Sequence, residues 1–214
     1  MILGFAYAGV GVGTVPVMLL YHVHFDVADV PTLERRYVSD GFDVVARYGY
    51  LGREHQAFGP EMGWDELERI GLRLRLVELE SGAVNVVVMR GKNDVPHLGQ
   101  IGWGGSDEEV AAARGRADDL GLRMRANPNR ILINSGQGFD IELTPPDRHS
   151  YDAAARAARS ISWLEVACAD PAAASSVVSQ VVGDGADDQL RFVEGSGRHA
   201  SLRAWELNES AYAG

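Results

Sequence analysis

Cysteine and lysine are nearly missing from this sequence: Cys168 and Lys92 stand alone among 214 residues. One cysteine excludes an intrachain disulfide, and its place in an apolar run makes it a small buried thiol, so a reducing cytoplasm is the expected compartment. One lysine leaves a single candidate for Schiff-base chemistry, on a Gly91-Lys92-Asn93-Asp94 turn, and that chemistry is set aside. No basic stripe offsets the net charge of -10, which argues against nucleic acid or an anionic membrane surface as partner. Charge is also missing from the first twenty residues, MILGFAYAGVGVGTVPVMLL. A secretory signal would place basic residues ahead of its apolar stretch, and Gly9, Gly11, Gly13 and Pro16 interrupt a spanning helix. Short buried strands joined by a turn are expected there instead.

What is present is a repeated order of elements. An apolar strand, a capping residue, an amphipathic helix and a glycine stop recur three times. The first run is YHVHFDVAD, VPTLERRYVSD and Gly41. The second is HLGQIGWGGS, DEEVAAARGRADDL and Gly121, with Ser106 and Glu109 at capping-box spacing and Val110, Ala113, Ala117 and Leu120 on one helical face. The third is SWLEVACAD, PAAASSVVSQVV and Gly183, with Asp170 as N-cap and Pro171 at the first helical position. Strands follow each helix: FDVVARYGY, RLRLVELE and AVNVVVMR, the last two joined at Ser81-Gly82; LRMRA, RILIN and FDIELT; and QLRFVEG and HASLRAWELNE.

The expected class is α+β, with paired βαβββ modules forming a curved mixed sheet around a metal cavity, and an incomplete third module. Its divisions are an N-terminal strand segment over 1–20, a first module over 21–92, a second over 93–148 and a partial third over 160–214. The third is one strand short. Either the uncharged N-terminal segment or a second chain could supply that strand.

Strand alternation places His22, His24 and Asp26 on one face of YHVHFDVAD and Val23, Phe25 and Val27 on the other. FDIELT repeats this, with Asp140, Glu142 and Thr144 opposite Phe139, Ile141 and Leu143. Apolar faces belong under the helices, so the polar rows face a cavity.

His22-Val-His-Phe-Asp-Val-Ala-Asp29, His97-Leu-Gly-Gln-Ile-Gly and Ser135-Gly-Gln-Gly-Phe-Asp-Ile-Glu142-Leu resemble the opening strands and closing strand of vicinal oxygen chelate proteins. That superfamily includes glyoxalase I, methylmalonyl-CoA epimerase, extradiol dioxygenases and bleomycin-resistance proteins. The resemblance covers residues 20–146 well and 160–214 weakly. It implies one divalent metal on His22, His97 and Glu142, with His24 as a second-shell base or an alternative ligand. Two imidazoles and a carboxylate with open positions suit Fe(II) oxygen chemistry; Zn, Ni, Co or Mn are the other ions. Aligning Gly82-Ala-Val-Asn-Val86 with Gly138-Phe-Asp-Ile-Glu142 puts Val86 at the place of the fourth ligand of glyoxalase I, which tilts the expectation toward a dioxygenase acting on a small aromatic or keto acid substrate. Leu132 lacks the proton of the tyrosine expected in ring-cleaving relatives, and Asn134 and Ser135 are candidate polar contacts.

Two other functions remain. A metal-free binding protein would use Trp64, Trp103, Trp163 and Trp205 as aromatic walls, and a divalent-metal isomerase or lyase would use His24 or a carboxylate as base. In the third module Trp163 takes the histidine place, and Trp205-Glu206-Leu207 echoes Ile-Glu-Leu. His55, His149 and His199 are read as loop or surface residues. The partners implied are a small-molecule substrate and a homo-oligomer.

Overall fold

The structure, a computed structural model, describes residues 18–145, 159–183, 185–197 and 199–209. The N-terminal strand segment expected over 1–20 therefore lies almost wholly outside the described residues, as does His149. No helix among the described residues is long and apolar enough to cross a membrane.

The first module runs β1 (Leu19–Val27), α1 (Val30–Ser39), β2 (Asp43–Leu51), β3 (Glu54–Phe58), α2 (Trp64–Arg69), β4 (Arg73–Ser81) and β5 (Val84–Arg90). It is the expected βαβββ with a hairpin strand and a short helix inserted between β2 and β4. The second runs β6 (His97–Gly104), α3 (Asp107–Asp119), β7 (Met124–Asn127), β8 (Arg130–Asn134) and β9 (Asp140–Thr144). Together they form one nine-stranded sheet in the order β3-β2-β4-β5-β1-β6-β9-β8-β7. The opening strands β1 and β6 pair antiparallel at its centre, and each pairs parallel with the closing strand of its own module.

Local chemistry sets the helix starts. Asp29 caps α1 by accepting from the Thr32 amide at 3.1 Å, and Ser106 with Glu109 forms a reciprocal capping box on α3. Val30, Leu33 and Tyr37 of α1 and Val110, Ala113 and Ala117 of α3 are buried against Val23, Phe25, Ile101, Trp103, Ile141 and Leu143. Leu120, expected on that face, falls at the C-cap and is 41% exposed. A buried ion pair between Glu34 and Arg47, 2.6 Å apart, ties α1 to β2. Arg47 also donates to the carbonyls of Gly59 and Met62, and Trp64 donates to Glu34 at 3.0 Å. The insertion is thus held by the pairing of β3 on β2 and by bonds joining Gly59, Met62 and Trp64 to one buried ion pair.

The third module comprises β10 (Arg159–Cys168), α4 (Pro171–Val182), α5 (Ala186–Gln189), β11 (Leu190–Glu194) and β12 (Ser201–Glu209), with a three-stranded sheet in the order β11-β10-β12. Asp170 caps α4 through the Ala173 amide, and Gly183 ends it at φ 99°, a conformation that favours glycine. Pairing corrects the expected assignment of β12. The strand lies antiparallel to β10 with bulges at Ser162 and Arg203, just as β6 lies against β1 with bulges at Tyr21 and Gly99. β12 is therefore the counterpart of an opening strand, and Trp205-Glu206-Leu207 is not a closing Ile-Glu-Leu. Trp163 does hold the place of His22, and its indole donates to Glu206.

The core is continuous between the sheets. Trp205 stacks on Phe42 and meets Tyr37 edge-on, while Arg116 of α3 donates to the last carbonyls of α4 at 2.9 and 3.0 Å. Cys168 is buried, as expected, and burial raises its thiol pKa.

Candidate functional site

The sheet face turned away from the helices curves around a cavity of about 460 Å³, lined by Tyr21, His22, Tyr48, Glu78, Glu80, Asn85, Val87, Arg130, Glu142 and Thr144 among others. Alternation delivers His22 and Glu142 there, as expected. In register they flank Gly102: His22 is opposite Gly102, which is opposite Glu142. A side chain on Gly102 would come within 2.7 Å of His22 Cβ and 3.1 Å of Cδ2. This glycine is what lets the imidazole lie over β6.

Hydrogen bonding selects the tautomer of His22. Asn85 donates through Nδ2 to Glu78 at 3.0 Å and Glu80 at 3.3 Å, so its Oδ1 must be the atom 2.6 Å from His22 Nδ1. A carbonyl oxygen only accepts, so His22 carries a proton on Nδ1, and in the neutral imidazole the lone pair lies on Nε2. His22 is 3% exposed and Nε2 has no partner among the described residues. A buried ring nitrogen open to the cavity can bond to whatever the cavity holds.

Glu142 faces a different set. Arg130 donates to it at 2.8 Å, and Tyr21, bonded to Thr144 at 2.7 Å, lies 3.4 Å from its second oxygen. Burial, then the Glu142 charge, raises the Tyr21 pKa. Sequence reading missed Tyr21 because alternation puts it on the helix side; the bulge at this residue breaks the period. Glu78 and Glu80 were not singled out in the sequence either, because alternation puts them on the same face of RLRLVELE as Leu74 and Leu76, opposite the buried Val77 and Leu79. Nothing in a single sequence pointed to Arg130 or Asn85.

The expected three-ligand set is not brought together. His97 pairs with Asp26 at the far end of the β1/β6 seam and stacks on His199, ring centroids 4.6 Å apart. The pseudo-twofold that exchanges β1 and β6 explains why. It carries the Tyr21 bulge onto the Gly99 bulge, and hence His22 onto Gln100 and His24 onto Gly102. The counterpart of His22 is Gln100, whose side chain lies beside His24 and whose Oε1 is buried without a well-aligned hydrogen bond among the described residues. The same operation places Val87, opposite His24, where Glu142 stands opposite Gly102. Val86, expected at that place, is fully buried in the core. The conclusion that valine offers no fourth ligand is unchanged. Among the described residues no three His, Cys, Asp or Glu side chains are grouped so as to hold a metal ion.

His24, the expected base, is 5% exposed, and neither of its nitrogens makes a well-aligned hydrogen bond among the described residues, although the Gln100 side chain lies beside it. Burial first, then neighbouring His22, lowers its pKa to about 4. Asn134 bonds Asp140, and Ser135 bonds the Phe139 carbonyl; both shape the turn before β9 rather than line the cavity. His55 packs on Tyr48 and Tyr50, outside the cavity lining.

Comparison with solved structures finds the same fold of paired βαβββ modules in glyoxalase, 4-hydroxymandelate synthase and homoprotocatechuate dioxygenase structures. The chain superposes on the Mn(II)-bound glyoxalase of Novosphingobium aromaticivorans at a TM-score of 0.55 and 14% identity, covering 87% of this chain and 64% of that one. It superposes on a mutant 4-hydroxymandelate synthase of Streptomyces coelicolor at 0.58 and 15%, covering 90% and 71%. A variant homoprotocatechuate 2,3-dioxygenase of Brevibacterium fuscum gives 0.54 and 14%, covering 89% and 56%. The chain thus spans between about half and three quarters of the length of these proteins. No family model matches the sequence, and no curated protein matches it.

Proposed function

We propose that the cavity binds a small oxygenated molecule and that His22 Nε2 takes a proton or a hydrogen bond from it, making this an acid–base enzyme of isomerase or lyase type. The observation that carries this reading is the buried lone pair on Nε2, held in one tautomer through Asn85. A base oriented by a side chain on its far nitrogen is the arrangement general-base catalysis requires. Glu142, Arg130 and Tyr21 line the same cavity, Tyr21 with its ring centroid 5.7 Å from that of His22, and orient the ligand. Proton abstraction can be read without knowing the product. A pool of small hydroxy and keto compounds in D₂O should gain deuterium with the parent protein and not with His22→Gln. Equal exchange by the two proteins would refute the assignment.

A second reading retains the divalent cation, favoured by the same open nitrogen and by the Mn(II)-bound neighbour. His22, Glu142 and Gln100 Oε1 would be its donors. The cation would polarise a bound oxygen or, as Fe(II), support the dioxygenase chemistry expected from the sequence. Elemental analysis of freshly purified protein separates the readings: one equivalent of metal, lost in His22→Ala, supports this one.

A further inference from the structure

Among the described residues the cavity carries more negative charge than its one arginine can balance. Glu78, Glu80 and Glu142 line it together with one arginine, Arg130, which is paired with Glu142 at 2.8 Å. Neither Glu78 nor Glu80 has a salt-bridge partner among the described residues; they accept only from Tyr48 and Asn85. The two carboxylates are one pleat apart on β4, so both project from the cavity face. Both are part-buried on the cavity wall, where a ligand that brings a cation can pair with them.

The second, independent observation is His22 Nε2, buried, unpartnered and lining the same cavity. As a lone pair it calls for a donor on the ligand. Glu80, Asn85 and His22 stand in one cross-strand row, so the carboxylates and the imidazole are about 10 Å apart at the backbone and closer at their side-chain ends, where Asn85 bridges them.

Resting on the reading of this cavity as a ligand site, we infer that its ligand is a small molecule carrying an ammonium group, held by Glu78 and Glu80, and a hydroxyl a few atoms away, donated to His22 Nε2. An anionic acid is disfavoured, because its carboxylate would meet two uncompensated glutamates.

Three phenols that differ in one group test this: tyramine, neutral 4-ethylphenol and anionic 4-hydroxyphenylacetate. Binding is followed by calorimetry and by the ¹⁵N resonance of His22 Nε2. The expected result is tyramine at least tenfold tighter than 4-ethylphenol, with 4-hydroxyphenylacetate weakest, and an amine preference that collapses in Glu80→Gln while 4-ethylphenol binding is retained. An equal or reversed order with a shifted His22 resonance overturns the ammonium assignment alone. If no probe shifts His22, the ligand-site reading falls and this inference with it. Mn²⁺ or Ca²⁺ alone raising Tm in the parent but not in Glu80→Gln would put an inorganic cation on these carboxylates and overturn the proposal.

Discussion

At the scale of single residues, His22 depends on two neighbours that do no chemistry themselves. Gly102 makes room for its ring and Asn85 sets its tautomer. Gly102→Ala should force the ring aside and cost about 1–3 kcal/mol, the usual range for overpacking, measured by urea unfolding. Asn85→Leu should release the tautomer, so that long-range ¹H–¹⁵N spectra, which report Nδ1–H in the parent, show an Nε2–H population. His24 makes a separate, pH-dependent contribution. Its folded pKa of about 4 lies below the free value of 6.5. Between these values the unfolded chain binds a proton that the folded one refuses, so stability is complete above about pH 6.5 and falls as pH drops toward 4. The loss attributable to this group is roughly 3 kcal/mol. His24→Leu should flatten that part of the stability curve; a variant as pH-sensitive as the parent would remove His24 from the account.

Among the elements, the inserted β3–α2 segment is held by Arg47 and Glu34, buried together and shared with Trp64. Removing one partner strands the other charge, so Glu34→Ala should cost about 3–5 kcal/mol, whereas replacing both with apolar residues of similar size should cost much less. Thermal denaturation of the single and double variants measures the difference. The element boundaries were largely legible in the sequence, because caps such as Ser106-Glu109 and Asp170-Pro171 act within a few residues. Neither the inserted hairpin strand nor α2 was legible. Glu54–Phe58 is short and half exposed, so it has little of the alternation that betrays a strand.

Across the whole molecule, the second sheet is joined to the first near Gly82. The Ala83 amide donates to the Arg159 carbonyl at 2.8 Å, and a Cβ on Gly82 would lie 2.6 Å from the Arg159 backbone. Gly82 also has φ 58°. Gly82→Val should loosen this junction, with amide exchange accelerating in β10 and β12 before it does in β1 and β6. Uniform acceleration throughout would show instead that the two sheets unfold as one unit.

The sequence by itself determined the modules, their helix caps and the two polar strand faces that carry His22 and Glu142, since these follow from period and from contacts a few residues apart. It could not determine which histidine faces which. The bulges at Tyr21 and Gly99 each add one residue to a strand. They turn Tyr21 into the cavity, make Gln100 the counterpart of His22, and leave His97 at the far end of the seam beside Asp26. A bulge is set by how two distant strands pair, and one residue of register exchanges the faces of a strand. The metal-ligand set expected from short motifs therefore depended on tertiary pairing, and so did the pair Glu78 and Glu80, which only their surroundings in space show to have no cationic partner among the described residues.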